Sequence, residues 1–125
     1  PRGRTTSSIW FHNEPWMQFN MFQSGHRTYA QDTSAADLKF GEDNWRYVQM
    51  DYSRSPAKPT LDGEPSYEKI PYGLHDTTLP VWNDDDLRRY AYWSVFAGGC
   101  GFTYGHNSVM QMHHPGEADA KFGVK

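Results

Sequence analysis

The chain has a single cysteine, Cys100, which excludes an intrachain disulfide framework and any cysteine-built zinc site. Its setting, the apolar and glycine-containing stretch 96–102, reads as that of a small buried thiol rather than a nucleophile. The lack of disulfides leaves the compartment open, the periplasm included. Long apolar runs are missing as well. The best candidate, Ala91–Phe102, is short and ends in glycines, far from the ~20 residues that a membrane span requires. Positive charge is in short supply: 12 Lys and Arg face 15 Asp and Glu, for a net charge of −3. Those cations are scattered, so neither nucleic acid nor an anionic membrane is an expected partner. A signal-peptide pattern is lacking, and the chain opens Pro-Arg-Gly-Arg, pointing to processing or to a larger parent chain. Six histidines are present, but His12, His26, His75, His106 and the His113-His114 pair follow no ligand spacing such as HExxH. No metal or other cofactor is expected.

Aromatic residues, by contrast, are abundant. Five Trp, eight Tyr and seven Phe make up 16% of the 125 residues, while the mean hydropathy is −0.86. Flat apolar faces beside many polar groups suit a saccharide cleft, where ring C–H faces lie on aromatics and hydroxyls need donors and acceptors. The same residues could simply fill a core, and composition leaves both readings standing.

The pattern along the chain predicts strand, helix, strand, helix, strand. Residues 19–23 alternate and stop at Ser24-Gly25-His26, which predicts a strand and a turn. Glu42–Tyr52 carries Trp45, Val48, Gln49 and Tyr52 at helical spacing, after Gly41 and before Ser53–Pro56. Residues 58–63 read as a strand closed by glycine. A second helix is capped by Asn83 or Asp84, lines one face with Leu87, Tyr90, Ala91 and Val95, and stops at Gly98-Gly99. That cap also explains Asp84-Asp85-Asp86 better than cation chelation does. Residues 101–104 predict a last strand, and residues 71–83 a loop long enough to shape a cleft. Such alternation implies parallel strands with helices outside, an α/β fold. Each strand ends in a polar, glycine-containing turn, and parallel folds bind ligands at the carboxyl ends of their strands. Three turns would therefore gather on one rim.

Chemistry concentrates in those turns. In Leu61-Asp62-Gly63-Glu64-Pro65-Ser66-Tyr67-Glu68 a carboxylate follows a strand and a glycine, and a proline then fixes the turn. A glycosidase nucleophile needs that rigid placement on the rim. Three carboxylates within seven residues are also expected to shift one another's ionisation by repulsion. The plainer reading is a solvated acidic turn. Gln23-Ser24-Gly25-His26 offers an amide, a hydroxyl and an imidazole to sugar hydroxyls, and Tyr104-Gly105-His106-Asn107 has the same grammar. A tyrosine there could hold a carboxylate in place.

Taken together, Ser8–His12, Trp16 and residues 19–26, then Lys58-Pro59 through Glu68, resemble consecutive blocks of the bacterial apiosidase-like glycoside hydrolases. Arg88-Arg89 with 91–94, residues 98–107 and Gln111-Met112 resemble a third block. The resemblance implies a (β/α)₈ (TIM) barrel about three times this length, with residues 1–125 as its C-terminal-side part and strands six to eight at 19–24, 58–63 and 101–104. It implies retaining hydrolysis of plant cell-wall polysaccharide, apiose-containing pectin side chains being the best-known substrate class. The full-length protein would be periplasmic or secreted. Glu64 matches the nucleophile position, with Glu68 as its rival. Gln23, His26, Tyr67, Glu68, Tyr104 and His106 would bind the oligosaccharide or polysaccharide, and Trp93 or Trp16 would supply a stacking face. Residues 113–125 match nothing, and Met110 stands where an aromatic is usual.

Many barrel glycosidases carry Asn-Glu-Pro after the fourth strand, with its glutamate as acid/base, and Asn13-Glu14-Pro15 has that form with Ser8–His12 as the strand before it. Spacing argues against the match. Two strands and three helices need about 75 residues, and only 50 positions separate Glu14 from Glu64. The acid/base is expected before Pro1, and the rest of the barrel with it, since three strands cannot close one. The alternative is a non-catalytic carbohydrate-binding α/β module.

Overall fold

The structure, a computed structural model, describes residues 3–116. Most of the stretch without a match, 113–125, lies outside the described residues. Three short strands, β1 (Asn20–Phe22), β2 (Thr60–Asp62) and β3 (Gly101–Phe102), form a parallel sheet in the order β1-β2-β3. Parallel neighbours need long crossovers. The first carries the 3₁₀ turns Tyr29–Gln31 and Gly41–Asp43 and the helix α2 (Asn44–Tyr52), and the second carries α3 (Asp84–Phe96). Two four-residue helices complete the set, α1 (Ser8–Phe11) and α4 (Asn107–Met110). The strand-helix alternation expected from the sequence is present. Ser8–Phe11, however, is helical, not a strand.

Register places Asn20 opposite Thr60 and Phe22 opposite Asp62, which in turn faces Phe102. Asn20, Phe22, Thr60 and Asp62 are buried, while the alternate residues Met21 and Leu61 are only half-buried. Both long helices pack together and onto the sheet. Phe22 stacks on Tyr47 with ring centroids 5.2 Å apart and planes 10° from parallel, beside Val48. Burying side chains of this kind stabilises by about 1.5–3 kcal/mol each, and Phe22→Ala would cost about 3–5 kcal/mol. A second cluster joins Ile70, Trp82, Leu87 and Tyr90.

The buried faces of the helices differ from those that hydrophobic spacing predicts. In α2 the buried residues are Asn44, Tyr47, Val48 and Asp51, while Trp45, Gln49 and Tyr52 are exposed. In α3 Ser94 takes the inner place and Val95 is exposed. The reason is polar: Asn44 Nδ2 donates to the Tyr90 carbonyl and to Ser94 Oγ, both at 2.8 Å, and so sets how the two helices meet. Asp51 acts similarly, accepting from Thr6 Oγ1 and Ser8 Oγ at 2.6 Å and latching the N-terminal segment onto α2. Cys100 is exposed, contrary to its apolar flanks. Gly98 and Gly99 end α3, and Gly99 leaves no room for a Cβ, which would lie 2.7 Å from the Ser94 carbonyl oxygen. The cap of α3 is as expected: Asn83 accepts from the Asp86 amide while the Asp86 carboxylate accepts from the Asn83 amide.

Candidate functional site

The three strand ends share one rim, and backbone hydrogen bonds continue the sheet into it. Gly63 N donates to the Phe22 carbonyl at 3.0 Å and Gly25 N to the Glu64 carbonyl at 3.1 Å. Glu68 N donates to the Gly105 carbonyl at 2.9 Å, and Asn107 N to the Glu68 carbonyl at 2.8 Å. Residue 25 must be glycine, because a Cβ there would lie 2.4 Å from the Ser66 amide nitrogen. Residue 105 is similarly constrained by the Tyr67 ring, 2.4 Å from the position of a Cβ.

On this rim the expected site residues fall into two clusters. The first is Glu64, His26 and Tyr67. His26 Nε2 lies 3.3 Å from Glu64 Oε1, with His26 buried and the Glu64 side chain 38% exposed. Burial pushes the His26 pKa down, and the nearby Glu64 offsets only part of that. The imidazole is therefore neutral at pH 7. A carboxylate only accepts, so Nε2 carries the proton and donates it to Glu64. The other ring nitrogen, Nδ1, is buried without a hydrogen-bond partner among the described residues. Tyr67 meets the His26 ring edge-on, centroids 4.6 Å apart and planes at 77°. Burial raises the Tyr67 pKa, and the charge of Glu64 raises it further.

The second cluster is Glu68, Tyr104 and His106. Tyr104 Oη donates to Glu68 Oε2 at 2.7 Å, and this bond pushes the Tyr104 hydroxyl up to about 12. His106 Nε2 lies 3.9 Å from Glu68 Oε1, while its Nδ1 accepts from the Ser108 amide and caps α4. Tyr104, expected to bind sugar or to hold Glu64, serves Glu68 instead. Tyr67 joins the two clusters, with His26 on one side and Gly105 on the other.

Asp62 takes no part in the rim surface. It is fully buried beneath it, and its pKa is raised to about 7 by burial above all. Hydroxyls of Ser24 and Ser94 oppose that shift. The expected repulsion among Asp62, Glu64 and Glu68 is not the cause, because the Asp62 carboxyl faces the helices. This network of Asp62, Ser24, Ser94 and Asn44 was not anticipated from sequence. Its one legible signal is that Ser24 and Asp62 each stand two residues before a rim residue.

Beside His26 opens a cavity of about 330 Å³, lined by Gln23, His26, Arg27, Arg4, His75 and Phe40 among others. Gln23 thus sits at the rim as expected. The loop 71–83 closes against it, with Gly73 N donating to the His26 carbonyl at 2.8 Å. Arg4 is tied to Asp32 by two hydrogen bonds of 2.7 and 2.8 Å. Arg27 lies over Phe40, 5.8 Å from the ring centroid.

Two aromatic candidates lie elsewhere. Trp93 packs on Tyr90 and Arg89 in the last turns of α3. That helix starts near the rim and runs away from it, so at 1.5 Å per residue Trp93 stands roughly 13 Å along. Trp16 packs on Phe11 next to Phe19 and Met21. Glu14 is at the opposite end of the sheet, in a cavity with Pro56, Lys58 and Pro59, which precede β2. Lys58 Nζ holds that end by donating to the His12 and Met17 carbonyls. Glu14 cannot face Glu64. Among the described residues no three His, Cys, Asp or Glu side chains converge as a metal site, and no helix is long and apolar enough to cross a membrane.

No curated protein matches the chain. Residues 1–124 match the family described as apiosidase-like, catalytic domain. Among solved structures, one described as a glycoside hydrolase is 56% identical with a TM-score of 0.85, over 100% of this chain and 29% of its own. A glycoside hydrolase family 5 protein from Bacteroides vulgatus ATCC 8482 is 51% identical with a TM-score of 0.85, over 100% of this chain and 28% of its own. The chain therefore spans less than a third of the solved structures it matches, and its three-stranded parallel unit corresponds to a fragment of a larger hydrolase fold. With the rim geometry and these matches together, the chain belongs to the apiosidase-like catalytic-domain family.

Proposed function

We propose that residues 1–125 supply strands six to eight of a retaining (β/α)₈ glycosidase that acts on plant cell-wall polysaccharide outside the cytoplasm, in the periplasm or after secretion. Apiose-containing pectin side chains are the substrate class the family suggests. The observation that carries this reading is the 3.3 Å contact between His26 Nε2 and Glu64 Oε1 at the carboxyl end of adjacent parallel strands, where barrel enzymes keep their chemistry.

In the first step Glu64 attacks the anomeric carbon while an acid from the rest of the barrel protonates the departing oxygen. Water then cleaves the glycosyl-enzyme, with that second carboxyl about 5–5.5 Å from Glu64. The His26 hydrogen bond holds one Glu64 oxygen and leaves the other for attack. Glu68 is the weaker candidate, since Tyr104 already engages it at 2.7 Å and its side chain is more buried. In this scheme Glu68, Tyr104 and His106 bind sugar hydroxyls. Gln23 reads hydroxyls in the cavity beside His26, whose basic lining favours a neutral or anionic sugar over a cationic one.

The test is Glu64→Gln in the protein encoded by the complete reading frame. Turnover is lost and oligosaccharide binding survives; unchanged turnover refutes the assignment. A second reading, a carbohydrate-binding module, draws on the exposed aromatic faces of Trp16 and Tyr104. Release of new reducing ends separates the two.

A further inference from the structure

We infer that Asp62 is a positioning residue that holds Glu64 against His26, a role that rests on the glycosidase reading only for its consequence in catalysis. Asp62, the last residue of β2, and Ser24, two residues past β1, stand two residues before Glu64 and His26, so each is joined to its rim residue by a short stretch of backbone. Ser24 Oγ donates to Asp62 Oδ2 at 2.6 Å, and Ser94 Oγ donates to the same oxygen at 3.3 Å. Ser94 in turn accepts from Asn44 Nδ2 at 2.8 Å. The single hydroxyl hydrogen of Ser94 is thereby directed at Asp62. One carboxyl gathers β1, β2, α2 and α3 at the level just beneath the rim.

Three features separate this from ordinary core packing. First, the network is shielded from solvent: Asp62, Ser94 and Asn44 are 0% exposed and Ser24 is 3% exposed. Second, among the described residues no cation acts on the carboxyl. Burying an acid without a counter-ion is costly, and an apolar residue at this inward strand position would avoid the cost. Asp51, also fully buried, differs in that Arg54 and His12 act on its charge while it latches the N-terminal segment. Third, the amides of Ser24 and of Glu64 itself both favour the charged carboxyl, although Oδ1 has no partner in hydrogen-bonding geometry. Asp62 therefore acts on the backbone that carries Glu64 and, through Ser24, on the backbone that carries His26. Losing it removes the side-chain tie between the two turns, and the 3.3 Å contact between His26 and Glu64 is then set only by backbone contacts such as Gly25 N to the Glu64 carbonyl.

The test reads the His26 ring in the protein encoded by the complete reading frame, by nitrogen-15 NMR of labelled histidine. The native protein gives a neutral Nε2–H tautomer with a pKa below the usual histidine range. Asp62→Ala and Ser24→Ala are expected to mix the tautomers and, because the Glu64 contact that opposes burial is lost, to move the His26 midpoint further down. Asp62→Asn, which still accepts from Ser24, restores the tautomer. An unchanged tautomer and midpoint in both alanine variants overturn the proposal. A loss in Asp62→Asn as complete as in Asp62→Ala overturns its hydrogen-bond basis. Should Asp62→Ala not fold, Ser24→Ala decides alone, since it removes one hydroxyl. None of these signals depends on turnover. A failed glycosidase assay with Glu64→Gln therefore refutes the function and leaves this geometry to be judged separately.

Discussion

Tyr104 gives its hydroxyl proton to Glu68 and not to Glu64, over 2.7 Å, although the two glutamates are four residues apart. The pairing of β2 with β3 decides this. Glu68 lies opposite His106 in an isolated parallel bridge beyond the strands, which brings the turn after β3 to Glu68. The first prediction follows from that bond. Tyr104 ionises at about 12 because Glu68 holds its proton, so Glu68→Gln should return it towards the ordinary value of about 10. Alkaline titration of tyrosinate absorbance, compared with Tyr104→Phe to identify the signal, checks this. A Tyr104 midpoint that stays near 12 in Glu68→Gln contradicts the assignment.

Asp62 makes stability depend on pH in an unusual sense for a carboxylate. Its folded pKa, raised to about 7 by burial, exceeds the unfolded value of about 3.9. The folded state thus binds the proton more tightly. The stabilisation is complete below the unfolded pKa and is lost as pH rises through about 7. Urea midpoints should fall between pH 5 and pH 8, and Asp62→Asn should flatten that fall. An equal slope in the variant would rule out Asp62 as its source.

Asp32 works in the opposite direction. The Arg4 guanidinium holds its carboxyl well below the usual range, against an opposing contribution from burial. That stabilisation is present above the unfolded pKa and is lost as pH falls through the lower folded value. Asp32→Asn should cost about 1–3 kcal/mol at pH 7, and progressively less as pH falls below the ordinary carboxylate range. Because Arg4 lines the cavity beside His26, the same variant should weaken oligosaccharide binding. A cost that does not change with pH would exclude the ion pair as its origin.

Gly25→Ala should be far more damaging than its one methyl suggests. The added carbon meets Ser66 N and the Pro65 carbonyl carbon at 2.4 and 2.5 Å, and these are backbone atoms that cannot rotate away. A loss of about 1–3 kcal/mol is expected, together with the His26 tautomer signal. A variant with native stability and a native histidine spectrum would show that the two turns separate freely.

Trp93→Ala should leave saccharide affinity unchanged, because Trp93 lies in the last turns of α3 against Tyr90 and Arg89. The substitution should be felt in thermal stability instead. A tenfold loss of affinity in isothermal titration would place a sugar on the helix and not on the rim.

The sequence made the strand-helix order and the rim legible because both rest on local signals. Glycine-bearing turns after apolar strands located Glu64, His26 and Tyr104, and the Asn83 cap located α3. What it hid was polar and long-range. Asn44 and Ser94 occupy inward positions that hydrophobic periodicity assigns to apolar residues, so the faces of α2 and α3 were turned. The burial of Asp62 was equally invisible, since a strand-end aspartate followed by Gly63 and Glu64 looks like part of the acidic surface. Tyr104 and Glu68 are 36 residues apart, and only the β2–β3 register distinguishes Glu68 from Glu64 as its partner. Ser8–Phe11 forms a helix, held by Asp51 through Ser8, because that latch is 43 residues away and leaves no mark on local pattern.

The bare α-carbon at position 25 also bears on engineering. Since the Gln23–His26 turn presses directly on the Pro65–Ser66 backbone, neither can be swapped into a homologous scaffold by itself. A chimaera that exchanges specificity loops must carry both segments as one graft, and library diversity belongs in the exposed residues 75–81 of the 71–83 loop.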